Sequence, residues 1–71
     1  MSNIEFILVN FNINPNKLTA YDRKWINESI IPFYEDNDRP YFPAEIEHKN
    51  LFTGEVRKIN VKEALESLKA L

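Results

Sequence analysis

The single histidine, His48, ends the run Glu45-Ile46-Glu47-His48, where an imidazole stands beside two carboxylates. Such a group could hold a metal ion or work as a general base. On a strand, alternation sends Glu45 and Glu47 to one face and His48 to the other. No second histidine is present to complete a ligand set, so His48 reads as a strand residue with no positioned catalytic partner. A second group of oxygen donors, Glu35-Asp36-Asn37-Asp38, suits a hard cation by type. It lacks the sixth-position glycine and twelfth-position glutamate of a calcium loop, and Arg39 beside it would repel a cation. The run reads instead as a solvated loop or an acidic contact patch.

Nucleophiles are equally sparse. Ser2, Ser29 and Ser67 lie in no nucleophile-elbow pattern, and one glycine, Gly54, cannot build a phosphate-cradling loop. The absence of cysteine removes disulfides, thiolate zinc sites and thiol nucleophiles together. The expectation is therefore no enzyme: no catalytic residue, no metal ligand and no cofactor.

The stronger signal is aromatic. The segment from Phe33 to Pro43, FYEDNDRPYFP, sets Tyr34, Tyr41 and Phe42 among acids and prolines, a composition typical of interfaces. Phe52 joins them at the expected tip of a hairpin. The same rings could fold back to roof a small sheet, because a short chain needs its rings for burial. With the acids around them, the candidate partner-contacting residues are Tyr34, Glu35, Asp36, Asp38, Tyr41, Phe42, Glu45, Glu47 and Phe52.

Composition bounds what can carry these residues. At 71 residues, 44% hydrophobic and 28% charged, the chain is expected to form one domain spanning residues 1–71. Nine Lys and Arg against eleven Asp and Glu give a net charge of −2, without the basic face from which nucleic-acid binders draw their affinity. A small domain without cross-links fits a reducing compartment. The apolar run near Met1 has no basic leader and is too short to span a bilayer. A cytoplasmic location and no membrane partner are expected.

The elements follow from pattern. Ile4 to Ile13 carries apolar residues at even and odd positions alike, which reads as a central strand covered on both faces. Asn14-Pro15-Asn16 makes a turn. A helix from Thr19 to Ile31 begins with Thr19 as N-cap and Asp22 three residues on. Leu18, Tyr21, Trp25 and Ser29 form its apolar stripe, widened by Ile26 and Ile30, and Pro32 ends it. Residues 33–43 read as an ordered loop. Residues 44–61 read as a hairpin turning at Leu51-Phe52-Thr53-Gly54, with His48 opposite Arg57, Ile46 opposite Ile59 and Glu47 opposite Lys58. Asn60 and Glu63 start a terminal helix with the stripe Val61, Ala64, Leu65, Leu68 and Leu71. The expected class is α+β, in the order β-α-β-β-α, with a small three-stranded sheet packed against two helices.

A scaffold that spends its apolar residues on one small core is expected to bind rather than to catalyse. The leading expectation is a protein-binding module, of the occluding kind that small phage or mobile-element inhibitors exemplify, acting through its aromatic and acidic surface. The abundant Asn, Ile and Lys fit an AT-rich gene of that sort. A homo-oligomeric or accessory structural subunit is the second expectation, resting on the doubly apolar first segment. A small nucleic-acid-binding domain is the third. It is weakened because Phe6 and Phe11 would lie on opposite faces of one strand and form no single platform.

Overall fold

The computed structural model describes residues 1–71, and its first element is a helix, α1, Asn3–Asn10. Both ends of α1 are written locally. Ser2 is the N-cap: its hydroxyl accepts from the Glu5 amide at 3.3 Å, and its own amide donates to the Glu5 carboxylate at 3.0 Å. That reciprocal capping box satisfies two donors at once. At the other end Asn12 sits at φ 62°, the left-handed position that asparagine tolerates better than most side chains. The Ile13 amide bonds the Leu8 carbonyl and the Asn12 amide bonds the Val9 carbonyl, both at 2.9 Å. These are the two bonds of a Schellman motif, and Leu8 and Ile13 are both buried. The expected strand over Ile4–Ile13 is thus corrected to a helix and its stop. Its apolar residues fall on both sides because α1 is nearly engulfed, with Phe6, Ile7 and Leu8 all buried.

The next helix is longer than its sequence suggests. It runs as α2, Ala20–Trp25, a π-helical turn, Ile26–Ile30, and α3, Ile31–Asn37, without a break. Thr19 and Asp22 form a complete capping box at its start. Pro32 does not end it. In an unbroken α-helix the proline would cost a hydrogen bond and drive its ring into the carbonyl one turn back. Here the widened turn just before it, closed by the Ile31 amide on the Ile26 carbonyl, adds a residue and makes room. Pro32 then occupies the first turn of α3, where a missing N–H matters least. Ile31 keeps helical dihedrals of −59° and −48° despite the local penalty for a residue preceding proline. Burial of Ile31 and Tyr34 opposes that penalty. Half of the expected 33–43 loop is therefore helix.

The hairpin forms in the expected register. Strand β1, Glu45–Lys49, pairs antiparallel with β2, Val56–Asn60, placing Ile46 opposite Ile59, Glu47 opposite Lys58 and His48 opposite Arg57. Gly54 closes the turn at φ 77°, and its amide bonds the Asn50 carbonyl at 2.7 Å. The Asn50 side chain accepts from the Phe52 and Thr53 amides at 2.9 and 3.1 Å, which satisfies two backbone donors of the tip. The final helix, α4, Val61–Lys69, is capped by the Asn60 carboxamide, which accepts from the Glu63 amide at 3.0 Å.

The protein is α+β, but the sheet has two strands, not three, and the order is α-α-β-β-α. One cluster joins Phe6, Ile7 and Leu8 of α1 to Ile26 and Ile30 of the π turn, Tyr34 of α3, Ile59 of β2, and Val61, Ala64, Leu65 and Leu68 of α4. Arg57 fastens α1 to the hairpin: it stacks 4.7 Å over the Phe6 ring and donates to the Met1 carbonyl at 2.8 Å. The thinnest dimension is 16 Å, enough for a helix layer on a sheet and no third layer. The outer face of the hairpin is consequently bare, with Glu45, Glu47, Lys49, Val56 and Lys58 all exposed.

Candidate functional site

The residues with chemical potential are separated by this fold. His48 points inward, away from Glu45 and Glu47, as strand alternation requires. Its Nδ1 lies 3.1 Å from the Ile46 carbonyl, which accepts but cannot donate, so that nitrogen carries the proton. In the neutral imidazole Nε2 is then the acceptor, and the Tyr34 hydroxyl donates to it. The two rings stack with an interplanar angle of 10°. Burial pushes the Tyr34 phenol pKa up from its ordinary value, which keeps it a neutral donor. Both imidazole nitrogens are spent on structure, and neither residue lines any of the larger surface clefts. The pair works as a polar rivet between α3 and β1. Tyr34 is therefore corrected from a contact residue to a core residue. No three acidic or histidine side chains gather closely enough to hold a metal ion.

The acids lie along the end of the long helix. Glu35 reaches across to Lys69 of α4 at 3.6 Å. Asp36 pairs loosely with Arg39 at 3.8 Å, and the Arg39 Nε donates to the Asp36 carbonyl at 2.9 Å. Asp38 is the residue at which the helix stops, and it is exposed. This cluster sits at a helix C-terminus, the negative end of the dipole, where carboxylates are disfavoured.

The chain then turns over Arg39-Pro40-Tyr41-Phe42, closed by the Phe42 amide on the Arg39 carbonyl at 3.1 Å. Tyr41 is thrown outward at 94% exposure and Phe42 at 47%. Phe42, Asp38 and Arg39 edge a shallow cleft of about 480 Å³ whose far wall is Asn60, Val61 and Lys62 at the start of α4. Asp38 and Phe42 thus line a cleft that no sequence pattern marks, while Asp36 and Tyr41 are exposed within the same short segment of chain. Two of the candidate sets lie elsewhere. Glu45 and Glu47 occupy the outer sheet face, and Phe52, 97% exposed beside Leu51, caps the far tip of the hairpin. A five-residue strand, about 17 Å at its usual rise, separates that tip from the cleft.

A third apolar area has a sequence pattern that predicts burial. Tyr21 and Trp25 were expected on the buried stripe of the helix, yet both are exposed. With Phe11, Asn12, Ile13 and Asp22 they border an open cleft of about 260 Å³. Two stripes compete on this helix, Tyr21–Trp25 and Ile26–Ile30. The second wins because it continues through Ile31 to Tyr34, on the far side of a proline expected to break it. Of all the aromatic rings, only Phe6 and Tyr34 are buried. No helix is long and apolar enough to cross a membrane. No protein-family model, curated protein or solved structure matches the chain.

Proposed function

We propose that the protein is a non-catalytic protein-binding module whose contact surface is the turn at Tyr41 and Phe42 with the carboxylates of Asp36 and Asp38 beside it. The observation that carries this reading is the exposure of Tyr41 and Phe42 on an ordered turn. The roofing alternative requires those rings to cover the core, and they do not. An exposed aromatic on a rigid turn loses little entropy on docking and buries a large area, which is why such rings anchor interfaces. The flanking acids favour a partner with a basic surface, where they would speed encounter and fix orientation. A partner that normally receives phosphates would offer such a surface, and occlusion of its site would make this protein an inhibitor.

The test starts from a photo-crosslinking side chain at position 41, with position 63 on the exposed face of α4 as control. One discrete adduct formed only from position 41, in an extract of the cells that make the protein, identifies the partner. Purified partner and protein are then titrated. Tyr41→Ala/Phe42→Ala is expected to weaken binding by a factor of thirty or more, equivalent to about 2 kcal/mol for a hot-spot residue pair. Phe52→Ala should leave binding unchanged. Equal labelling from both positions, or full affinity in the double variant, rejects the reading.

A further inference from the structure

In a sheet of two strands, each strand has an open edge. The hairpin bonds fix which groups lie on it. The Asn50 amide bonds the Glu55 carbonyl at 2.8 Å and the Val61 amide bonds the Ala44 carbonyl at 2.9 Å. In the observed register the intervening pairs that exchange bonds are His48 with Arg57 and Ile46 with Ile59. The backbone N–H and C=O groups of Glu45, Glu47 and Lys49 therefore point away from β2. No backbone bond elsewhere in the fold uses them, and all three residues are exposed. An open edge of this kind is a template for another strand.

We propose that this edge pairs antiparallel with β1 of a second copy of the chain, about a two-fold axis through Glu47. That register overlaps the whole of β1. It sets Glu45 opposite Lys49 of the second copy and, by symmetry, Lys49 opposite Glu45 of the second copy. Ile46 meets His48, and Glu47 meets its own symmetry mate. Charge order selects both the edge and the occupant. Acid-acid-base along residues 45, 47 and 49 becomes two opposite-charge pairs when the strand is reversed against itself. The β2 edge, treated the same way, opposes Lys58 to Lys58 and Val56 to Asn60 and gains no attractive pair. Backbone bonds supply the attraction, and overlap of all five β1 residues favours the axis at Glu47 over one at His48, with the two Glu45–Lys49 pairs offsetting its single like-charge pair. So short an interface falls below the roughly 1,200 Å² of stable complexes, so the dimer forms and dissociates with concentration.

The swaps that test this leave the hairpin itself undisturbed. Within one chain, Glu45 faces Asn60 and Lys49 faces Val56, neither of them charged. Sedimentation equilibrium of the full chain, from micromolar to millimolar, is expected to show a closed dimer. Lys49→Glu or Glu45→Lys alone turns two attractive pairs into two repulsive ones and weakens the dimer about tenfold or more. The double variant Glu45→Lys/Lys49→Glu restores it. Glu47→Pro removes the central edge donor and abolishes it, while circular dichroism confirms the fold. Glu47→Gln relieves the one like-charge pair and tightens it several-fold. If Glu47→Gln instead weakened the dimer, the axis would lie at His48 and the proposed register would be wrong. A chain monomeric throughout, a dimer indifferent to Glu47→Pro, or open-ended growth overturns the proposal. Tyr41→Ala/Phe42→Ala lies outside this edge and leaves the dimer intact, so its effect on a heterologous partner is read independently.

Discussion

Tyr34 and Tyr41 carry the same side chain only seven positions apart, but Tyr34 is fully buried and Tyr41 is 94% exposed. Composition and neighbours do not separate them, since both adjoin phenylalanine and both have acids nearby. Helical phase does. Tyr34 lies four residues beyond Ile30 on the long helix and so inherits its inward direction. Tyr41 follows the helix stop at Asp38, on a turn that has no interior face. A ring is committed to the fold by the element beneath it, and a ring on a turn is left available to others.

The sharpest way to break this contrast is to remove both rings and compare stabilities. Tyr34→Ala deletes a large buried side chain and its bond to His48, and should cost about 4 kcal/mol, much of what a domain of this size possesses. Tyr41→Ala and Phe52→Ala should each stay within about 0.5 kcal/mol in the same urea melts. A cost above 2 kcal/mol for either exposed ring would mean that turn and tip help hold the fold, and the contrast would fail. The pH dependence adds a signature. The folded pKa of Tyr34 is raised above its ordinary 10.0, so its contribution is complete below pH 10 and is lost as pH climbs toward the folded value. Tyr34→Phe should flatten that alkaline decline.

The two halves of the chain were unequally legible for physical reasons. The hairpin could be read to the residue, because Gly54 and the turn length leave one register that pairs Ile46 with Ile59 and Glu47 with Lys58. The first helix is hidden in the sequence because an apolar run of its length has no period to distinguish a buried strand from a buried helix. The deciding information lay outside the run, in Ser2 with Glu5 and in Asn12. Pro32 misled for a different reason. Its effect depends on whether the preceding turn can widen, and no local pattern reports that. Once the helix continues past Pro32, Tyr34 is carried inward and the acids beyond it form a C-terminal cluster. Residue type marks Tyr41 and Phe42 as contact candidates, but their exposure depends on where the helix ends, at Asp38.

The caps allow a smaller test of why α1 is a helix at all. Ser2→Ala removes the capping oxygen and should cost about 1 kcal/mol at neutral pH. Glu5 completes that cap: its bond from the Ser2 amide, then that from the Ser2 hydroxyl, hold its carboxyl below the ordinary 4.5. A depressed carboxylate contributes above its unfolded pKa and loses that contribution as pH falls through the folded value. The gap between Ser2→Ala and the parent should therefore be widest at neutral pH and narrow below pH 4.5. A gap that does not depend on pH would detach Glu5 from the cap.

The smallest expected effect separates what the fold needs from what it merely carries. Glu63 lies in the first turn of α4, where a carboxylate meets the positive end of the dipole. Asp36 lies in the last turn of α3, where it meets the negative end. Asp36→Asn should accordingly stabilise by a few tenths of a kcal/mol and Glu63→Gln should destabilise by a similar amount. Both differences should fade as salt rises toward about 1 M, because both charges are solvated. The pairing of Asp36 with Arg39 recovers little, since both side chains remain largely exposed. If the signs come out opposed, Asp36 is a charge that local helix energetics would remove, and its presence beside Tyr41 then fits a contact with a partner better than a contribution to the fold. If Asp36→Asn destabilises instead, the acid cluster belongs to the scaffold, and the contact surface shrinks to the two rings.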